Sequence, residues 1–246
     1  MKELAERIVK WLQEQVSGAQ AKGVIVGLSG GIDSSVVAVL AKKAFPENTL
    51  GIIMPCYSSK LDIEYAFMVV RKFNIPTQVV DLTQVLNELY LQLEKKPYTP
   101  TGKDVPAANL RPRLRMATLY YFANKLNCLV LGTGNKSEIS IGYFTKYGDG
   151  GADLLPLGNL LKTEVRELAK ILEIPSEIIQ RVPTAGLWEG QTDEGEIGIT
   201  YEELDRTLQA LKSGNLKICE SESLYKVEEL IKKSEHKRLP VPVFIP

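Results

Sequence analysis

The chain has 246 residues, with 30 Lys and Arg against 30 Asp and Glu, so its formal net charge is zero. That balance supplies no global field to steer a polyanion, which excludes an electrostatic nucleic-acid binder and leaves small or locally matched ligands as partners. At 44% hydrophobic and 24% charged residues the composition is globular, and disorder, collagen and disulfide scaffolds are excluded.

Residues 1–16 place Leu4, Ile8 and Leu12 one helical turn apart among charges, which predicts a surface helix rather than a secretory signal. Val24 to Leu28 is a β-rich run, followed by a glycine- and serine-rich turn and a helical run from Val36 to Ala44. Leu50 to Met54 and Gln78 to Leu82 repeat the strand-then-helix pattern. A fourth strand, Cys128 to Leu131, follows a helix from about Leu110 to Lys125 that carries Leu114, Thr118, Tyr121 and Phe122. If Asn109 caps that helix, Pro112 falls in its first turn, where a missing N–H costs nothing. The strands are apolar on both faces, as buried parallel strands require. The alternation predicts an α/β fold, a doubly wound, mostly parallel sheet flanked by helices, with ligands at the C-terminal ends of the strands.

Residues 95–108, with three prolines and little periodicity, and 183–199, with four glycines and four acids, are expected to be lids or disordered. Leu160 to Leu172, Thr200 to Lys212 and Ser223 to Lys233 read as helices, the second opened by a Thr200/Glu203 capping box. No run of 18 apolar residues offers a transmembrane helix, so no membrane partner is expected. Cysteines stand only at 56, 128 and 219, without a C-x-x-C pair, which argues against a disulfide framework or a thiolate zinc site and for a reducing, cytoplasmic setting. Residues 1–246 are read as a single domain.

The segment Gly27-Leu28-Ser29-Gly30-Gly31-Ile32-Asp33-Ser34-Ser35 joins a strand to a helix start and makes an anion cradle. Glycines let the backbone approach a phosphate, and the first-turn N–H groups lack partners of their own. It has neither the G-K-[ST] ending of a Walker loop nor the G-x-G-x-x-G spacing. Asp33 and Glu138 each follow a strand, and two hard carboxylates with phosphate oxygens suit magnesium, although either alone reads as a solvated acid. Asp149, in Tyr147-Gly148-Asp149-Gly150-Gly151, reads bottom-up as a turn aspartate bonded to its own backbone. Bottom-up, Lys162 at a helix start reads as exposed, and His236, the single histidine, as solvated.

The S-G-G-I-D-S run resembles the pyrophosphate loop of the N-type ATP pyrophosphatases, enzymes that split ATP into AMP and pyrophosphate. Residues 131–138, 142–153, Pro156-Leu157, 183–185, 190–194 and His236-Lys237 resemble, in order and approximate spacing, the NAD synthetase family. The resemblance implies an ammonia-dependent ligase that amidates deamido-NAD through an adenylate, with ATP as co-substrate, Mg2+ as cofactor and a homodimeric assembly. It assigns Gly27, Leu28, Ser29, Gly30, Gly31, Ile32, Asp33, Ser34, Thr133, Lys162 and Thr184 to ATP. It assigns Arg113, Lys146, Asp153, His236 and Lys237 to deamido-NAD. Lys162 is read as catalytic, and with ammonia as the expected nucleophile Asp149 is a candidate to bind ammonium and take its proton, the alternative being the turn role. Pro112 stands where many relatives carry alanine, which leaves open how Arg111, Arg113 and Arg115 divide their duties. A GMP synthetase core or a tRNA-thiolating enzyme shares the first loop, but the neutral charge and missing C-x-x-C count against RNA thiolation. A non-catalytic nucleotide sensor would need neither the Asp33 and Glu138 pair nor long lids.

Overall fold

The computed structural model describes residues 1–100, 103–186, 188, 190–216 and 219–245. Its sheet has four parallel strands, β1 (Gly23–Gly27), β2 (Thr49–Ile53), β3 (Thr77–Val79) and β4 (Cys128–Leu131), in the order β3-β2-β1-β4. The registers Val24↔Thr49, Gly51↔Thr77 and Gly23↔Cys128 align their C-terminal ends along one edge. The chain runs outward from β1 to β3 and then returns to the other side of β1, so the topological switch, where a crevice opens, lies between β1 and β4.

Val24, Ile25 and Val26 of β1 are fully buried, because helices cover both faces. On one face lie α1 (Lys2–Gly18), α2 (Ile32–Ala44), α3 (Lys60–Phe73) and, later in the chain, α8 (Lys162–Ile171). The other face is covered by α4 (Thr83–Glu94) and α6 (Leu110–Leu126), with the short α5 (Val105–Ala108) packed against α6. A third apolar cluster, with Ile141, Leu161, Tyr201, Leu204 and Val227, ties α7 (Lys136–Ile141) to α11 (Tyr201–Ser213) and α12 (Ser221–Lys233). The short α9 (Ser176–Ile179), α10 (Asp193–Ile197) and α13 (Glu235–Arg238) complete the chain.

Several expectations are corrected. The helix expected from Val36 begins at Ile32, so Asp33, Ser34 and Ser35 are its first turn rather than loop. The strand expected over Gln78 to Leu82 ends at Val79, because Asp81 Oδ1 instead accepts from the Thr83 N–H (2.8 Å) and turns the chain into α4. It is an edge strand, and Val79 is exposed. Asn109 does not cap α6 through its side chain, since its Oδ1 accepts from Thr145 Oγ1 at 2.6 Å; Pro112 does fall in the first turn. Tyr121 lies outside the buried face of α6, 61% exposed and edge-on to Phe122. The aperiodic segments contain α5, capped by Asp104, and α10, capped by Thr192. The Thr200 capping box is present.

Candidate active site

At the C-terminal edge of the sheet lies a cavity of about 690 Å3, lined by Gly27, Leu28, Ser29, Gly31, Ile32, Asp33 and Ser34 of the glycine loop. Gly30 turns its back to it. With φ +80° and a would-be Cβ 2.2 Å from Asp62 O, no side chain fits there. The serines brace the loop. Ser34 Oγ and Ser35 Oγ donate to Gly31 O (3.0 and 2.7 Å), and the Gly31 N–H donates to Ser29 Oγ (3.2 Å). Gly31 supplies no side-chain cap to α2, so the first-turn amides of a 13-residue helix face the cavity, an anion site by geometry and dipole.

Lys162, read from sequence as exposed, is 2% exposed and joins the two acids. Its Nζ donates to Asp33 Oδ2 (2.6 Å) and Glu138 Oε1 (3.0 Å). Burial alone would lower the Lys162 pKa, but the carboxylates of Asp33 and Glu138 outweigh it and hold the ammonium above its ordinary value. Burial pushes Glu138 up to about 7, Lys162 pulling it down and Asp33 raising it further. Asn135, wholly buried, fixes both acids. Its Nδ2 donates to Asp33 Oδ1 (2.9 Å), and its Oδ1 and N–H form the α7 capping box with Glu138. Lys162 is placed from behind by Asp205, which accepts from the Thr163 N–H (2.9 Å) and from Ser137 Oγ, itself the acceptor for the Lys162 N–H.

Asp149 opens onto the same cavity, and its Oδ1 accepts from the Thr145 N–H (2.9 Å). Asp149 is exposed by its surface area. Desolvation by the atoms packed around its carboxylate nevertheless raises its pKa against the opposing pull of the Thr145 N–H, its own N–H, Lys237 and Arg115. Thr133, Thr184 and Lys237 also line the cavity, whereas Arg113, Lys146, Asp153 and His236 do not. Arg113 Nη2 donates to Lys146 O (3.4 Å) and Lys146 Nζ to His236 O (2.7 Å), which groups these three on one outer ridge. Lys237 reaches inward from that ridge, donating to Gly142 O and Phe144 O (2.8 Å each). Asp153, exposed, is tied to β4, accepting from the Val130 N–H (2.7 Å) and the Tyr120 hydroxyl (3.0 Å).

Of the three arginines whose duties the sequence left open, Arg115 is the one in the cavity wall, its Nε donating to Met54 O (3.2 Å). Arg111 and Arg115 are four residues apart and so share the inward face of α6, with Arg113 opposite; that spacing was the available signal. Sequence reasoning missed the pair of Arg181 Nη2 with Asp62 Oδ1 (2.5 Å), and the buried Asp193 and Tyr201. The two segments read as lids touch over the cavity. Lys103 Nζ lies 3.1 Å from Glu196 Oε1 and 4.9 Å from the Trp188 ring centre, and Arg111 donates to the Tyr98 hydroxyl (2.7 Å) and Gly186 O (3.5 Å).

Among the described residues no three His, Cys, Asp or Glu side chains converge as a metal cluster. A divalent ion nevertheless fits the chemistry present: Asp33 and Glu138 bring two hard carboxylates to the edge of an anion cradle, which suits an ion that shares phosphate oxygens.

Comparison with known proteins matches residues 4–241 to the model of the NAD synthase family. An NH(3)-dependent NAD(+) synthetase from Carboxydothermus hydrogenoformans is 50% identical over 96% of this chain and 94% of its own. Among solved structures, an NMN synthetase from Francisella tularensis superposes with TM-score 0.89 at 36% identity, covering 98% of this chain and 97% of that one. An NH3-dependent NAD synthetase from Campylobacter jejuni does so with TM-score 0.84 at 29% identity, covering 99% and 98%.

Proposed function

The chain belongs to the NAD synthase family, and from that membership we infer that it is a ligase that amidates deamido-NAD to NAD with ammonia and ATP. The observation that carries the reading is the meeting, in one cavity, of the open α2 N-terminus with Asp33, Glu138 and Lys162. A carboxylate resists ammonia because its charge repels the nucleophile and oxide is a hopeless leaving group. Adenylation removes both obstacles: the nicotinate carboxylate attacks the α-phosphorus of ATP, pyrophosphate departs, and ammonia then displaces AMP from the mixed anhydride.

The residues divide the work. The glycine loop, Gly27 to Ser34, with Thr133 and Thr184, cradles ATP, and Lys162 offsets charge as pyrophosphate leaves. Asp33 and Glu138 would hold Mg2+, which supplies further charge neutralisation when bound. Asp149 binds ammonium and takes its proton, its raised pKa suiting a base that must also release it. Contact between the 95–108 and 183–199 segments excludes the water that would hydrolyse the adenylate.

Arg113, Lys146, Asp153, His236 and Lys237 form the dinucleotide site of this reading. Its outer ridge lies beside the cavity rather than in it, which supports a homodimer whose interface completes that site. The exposed apolar tail with Val241, Val243, Phe244 and Ile245 supports the same assembly. The three apolar clusters around one cavity support a single catalytic domain over residues 1–246. Balanced charge supports small-molecule substrates without nucleic acid, and unpaired cysteines support a cytoplasmic setting. No helix among the described residues is long and apolar enough to cross a membrane.

The test mixes protein, ATP, Mg2+, ammonium and deamido-NAD and follows AMP and NAD. Nicotinic acid mononucleotide runs in parallel, since one structural relative is an NMN synthetase. AMP formed without any need for deamido-NAD overturns the reading.

A further inference from the structure

Behind Lys162 lies a group that the reaction as described leaves without a role. Tyr201, the first residue of α11, is a fully buried side chain. Its ring lies under Lys162, with Nζ 4.9 Å from the ring centre, a cation–π seat for the ammonium. Its hydroxyl stands between two carboxylates, 3.0 Å from Asp193 Oδ2 and 3.3 Å from Glu138 Oε1.

A phenol has one proton to donate, so it serves one of these acceptors at a time. The shorter contact assigns it to Asp193. That leaves Glu138 Oε1 with Lys162 Nζ, at 3.0 Å, as its donor. Were Asp193 absent, the hydroxyl would turn to Glu138 and compete with Lys162 for the same oxygen. Asp193 is well anchored for this task. It opens α10, it is buried, and its second oxygen lies 3.1 Å from the Tyr143 hydroxyl, whose proton it shares with Glu196 Oε2 at 3.0 Å. The two elements are also joined through the backbone, since the Tyr201 N–H donates to Glu194 Oε1 at 2.9 Å.

We propose that Tyr201 is a positioning residue of the adenylation step: its ring seats Lys162, and its hydroxyl, committed to Asp193 of α10, keeps Glu138 and Lys162 aimed at the nucleotide phosphates. α10 belongs to the 183–199 segment, so the geometry of the phosphate-handling groups depends on how that segment is seated. The proposal rests on the reading of the cavity as an adenylating site but not on deamido-NAD being the acid adenylated.

The experiment compares Tyr201→Phe, which keeps the ring and loses the hydroxyl, with Tyr201→Leu, Asp193→Ala and the Tyr201→Phe/Asp193→Ala double variant. Single-turnover pyrophosphate release at saturating ATP is measured with whichever carboxylic acid the wild-type enzyme turns over, so failure of the deamido-NAD reading leaves the comparison intact. In Tyr201→Phe the expected result is a rate loss of about 10- to 100-fold, the usual cost of losing the support of a reacting group. The KM for ATP should stay within about twofold, as for a group that acts on the step rather than on binding. Tyr201→Leu should lose more, and the double variant no more than the worse single. A Tyr201→Phe rate within twofold of wild type, or losses that multiply in the double variant, overturns the proposal. If Asp193→Ala does not fold, Tyr201→Phe against Tyr201→Leu, with the KM and kcat split, decides alone.

Discussion

Replacing Lys162 by Met keeps an unbranched side chain of similar reach and deletes the one cation that Asp33 and Glu138 share. Both acids are well enclosed, with side-chain exposures of 17% and 16%, so the appropriate magnitude is that of a broken buried ion pair, about 3–5 kcal/mol, rather than that of a surface bridge. For a chain of this size each kcal/mol moves the melting temperature by about 2–4 °C, giving a fall of roughly 6–20 °C. The sign of the pH dependence follows from Glu138. Its folded pKa, about 7, lies above the ordinary value, so the folded chain holds this proton more tightly than the unfolded one. The cost of keeping Glu138 ionised is therefore complete above its folded pKa and is relieved as pH falls toward its ordinary range. Lys162 pulls that pKa down, and its removal enlarges the shift. In wild type the raised Lys162 pKa contributes stability that is fully present below its ordinary value and lost only at more alkaline pH. The variant's deficit should thus be large at about pH 8 and smaller at about pH 5.5, where a proton can replace the missing charge. Thermal denaturation followed by circular dichroism without Mg2+ measures both. A melting temperature within about 2 °C of wild type at pH 8, or equal deficits at the two pH values, refutes the assignment of Lys162 as the counter-ion.

Asp149→Asn should still release pyrophosphate in a single turnover but convert the adenylate to NAD slowly; quenched assays following both products check this, and a parallel fall of the two steps favours the turn role that its Thr145 bond also supports. Gly30→Ala should abolish ATP binding or folding, since the new Cβ meets Asp62 O at 2.2 Å in a left-handed backbone; retained ATP affinity by calorimetry would contradict the loop geometry. Glutamine should not replace ammonium in an ammonia-free NAD assay, because burial raises the Cys56 and Cys128 thiols away from the reactive thiolate that a glutaminase needs. Light scattering at micromolar concentration should give twice the monomer mass, and a monomer would remove the interface from the dinucleotide site.

The strands and most helices were legible because their signals are local. β-rich runs, a capping box at Thr200 and the glycine turn each sit within a few residues. The errors lie where a side chain found a distant partner. Asn109 looks like a helix cap but serves Thr145, 36 residues on. Ile32 to Ser35 look like loop because serines and an aspartate disfavour helix interiors, yet here those serines brace the first turn against Gly31 O. The carboxylate pair was readable as two acids after two strands, but nothing local to residue 162 announces a lysine drawn between them. Nor does spacing show that Asn135 holds both acids in register, or that Tyr201 underlies the lysine. The arginines of α6 were resolvable in principle, since helical geometry alone separates 111 and 115 from 113.

The order β3-β2-β1-β4 has a consequence for the making of the protein. As the chain emerges during synthesis, β1, β2 and β3 can pair while more than half of the sequence is still to be made. The partners of Asp33 come much later: Asn135 lies 102 residues further along and Lys162 129. The glycine loop thus exists well before the groups that make it selective, and a chain released early would present an anion cradle with its acids unpaired. β4 must also slot beside a central strand whose other flank is already filled, a non-local closure that slows folding. Pairing of Asp33 therefore needs at least the first 162 residues, and it is complete only when α8 docks and Lys162 takes its place.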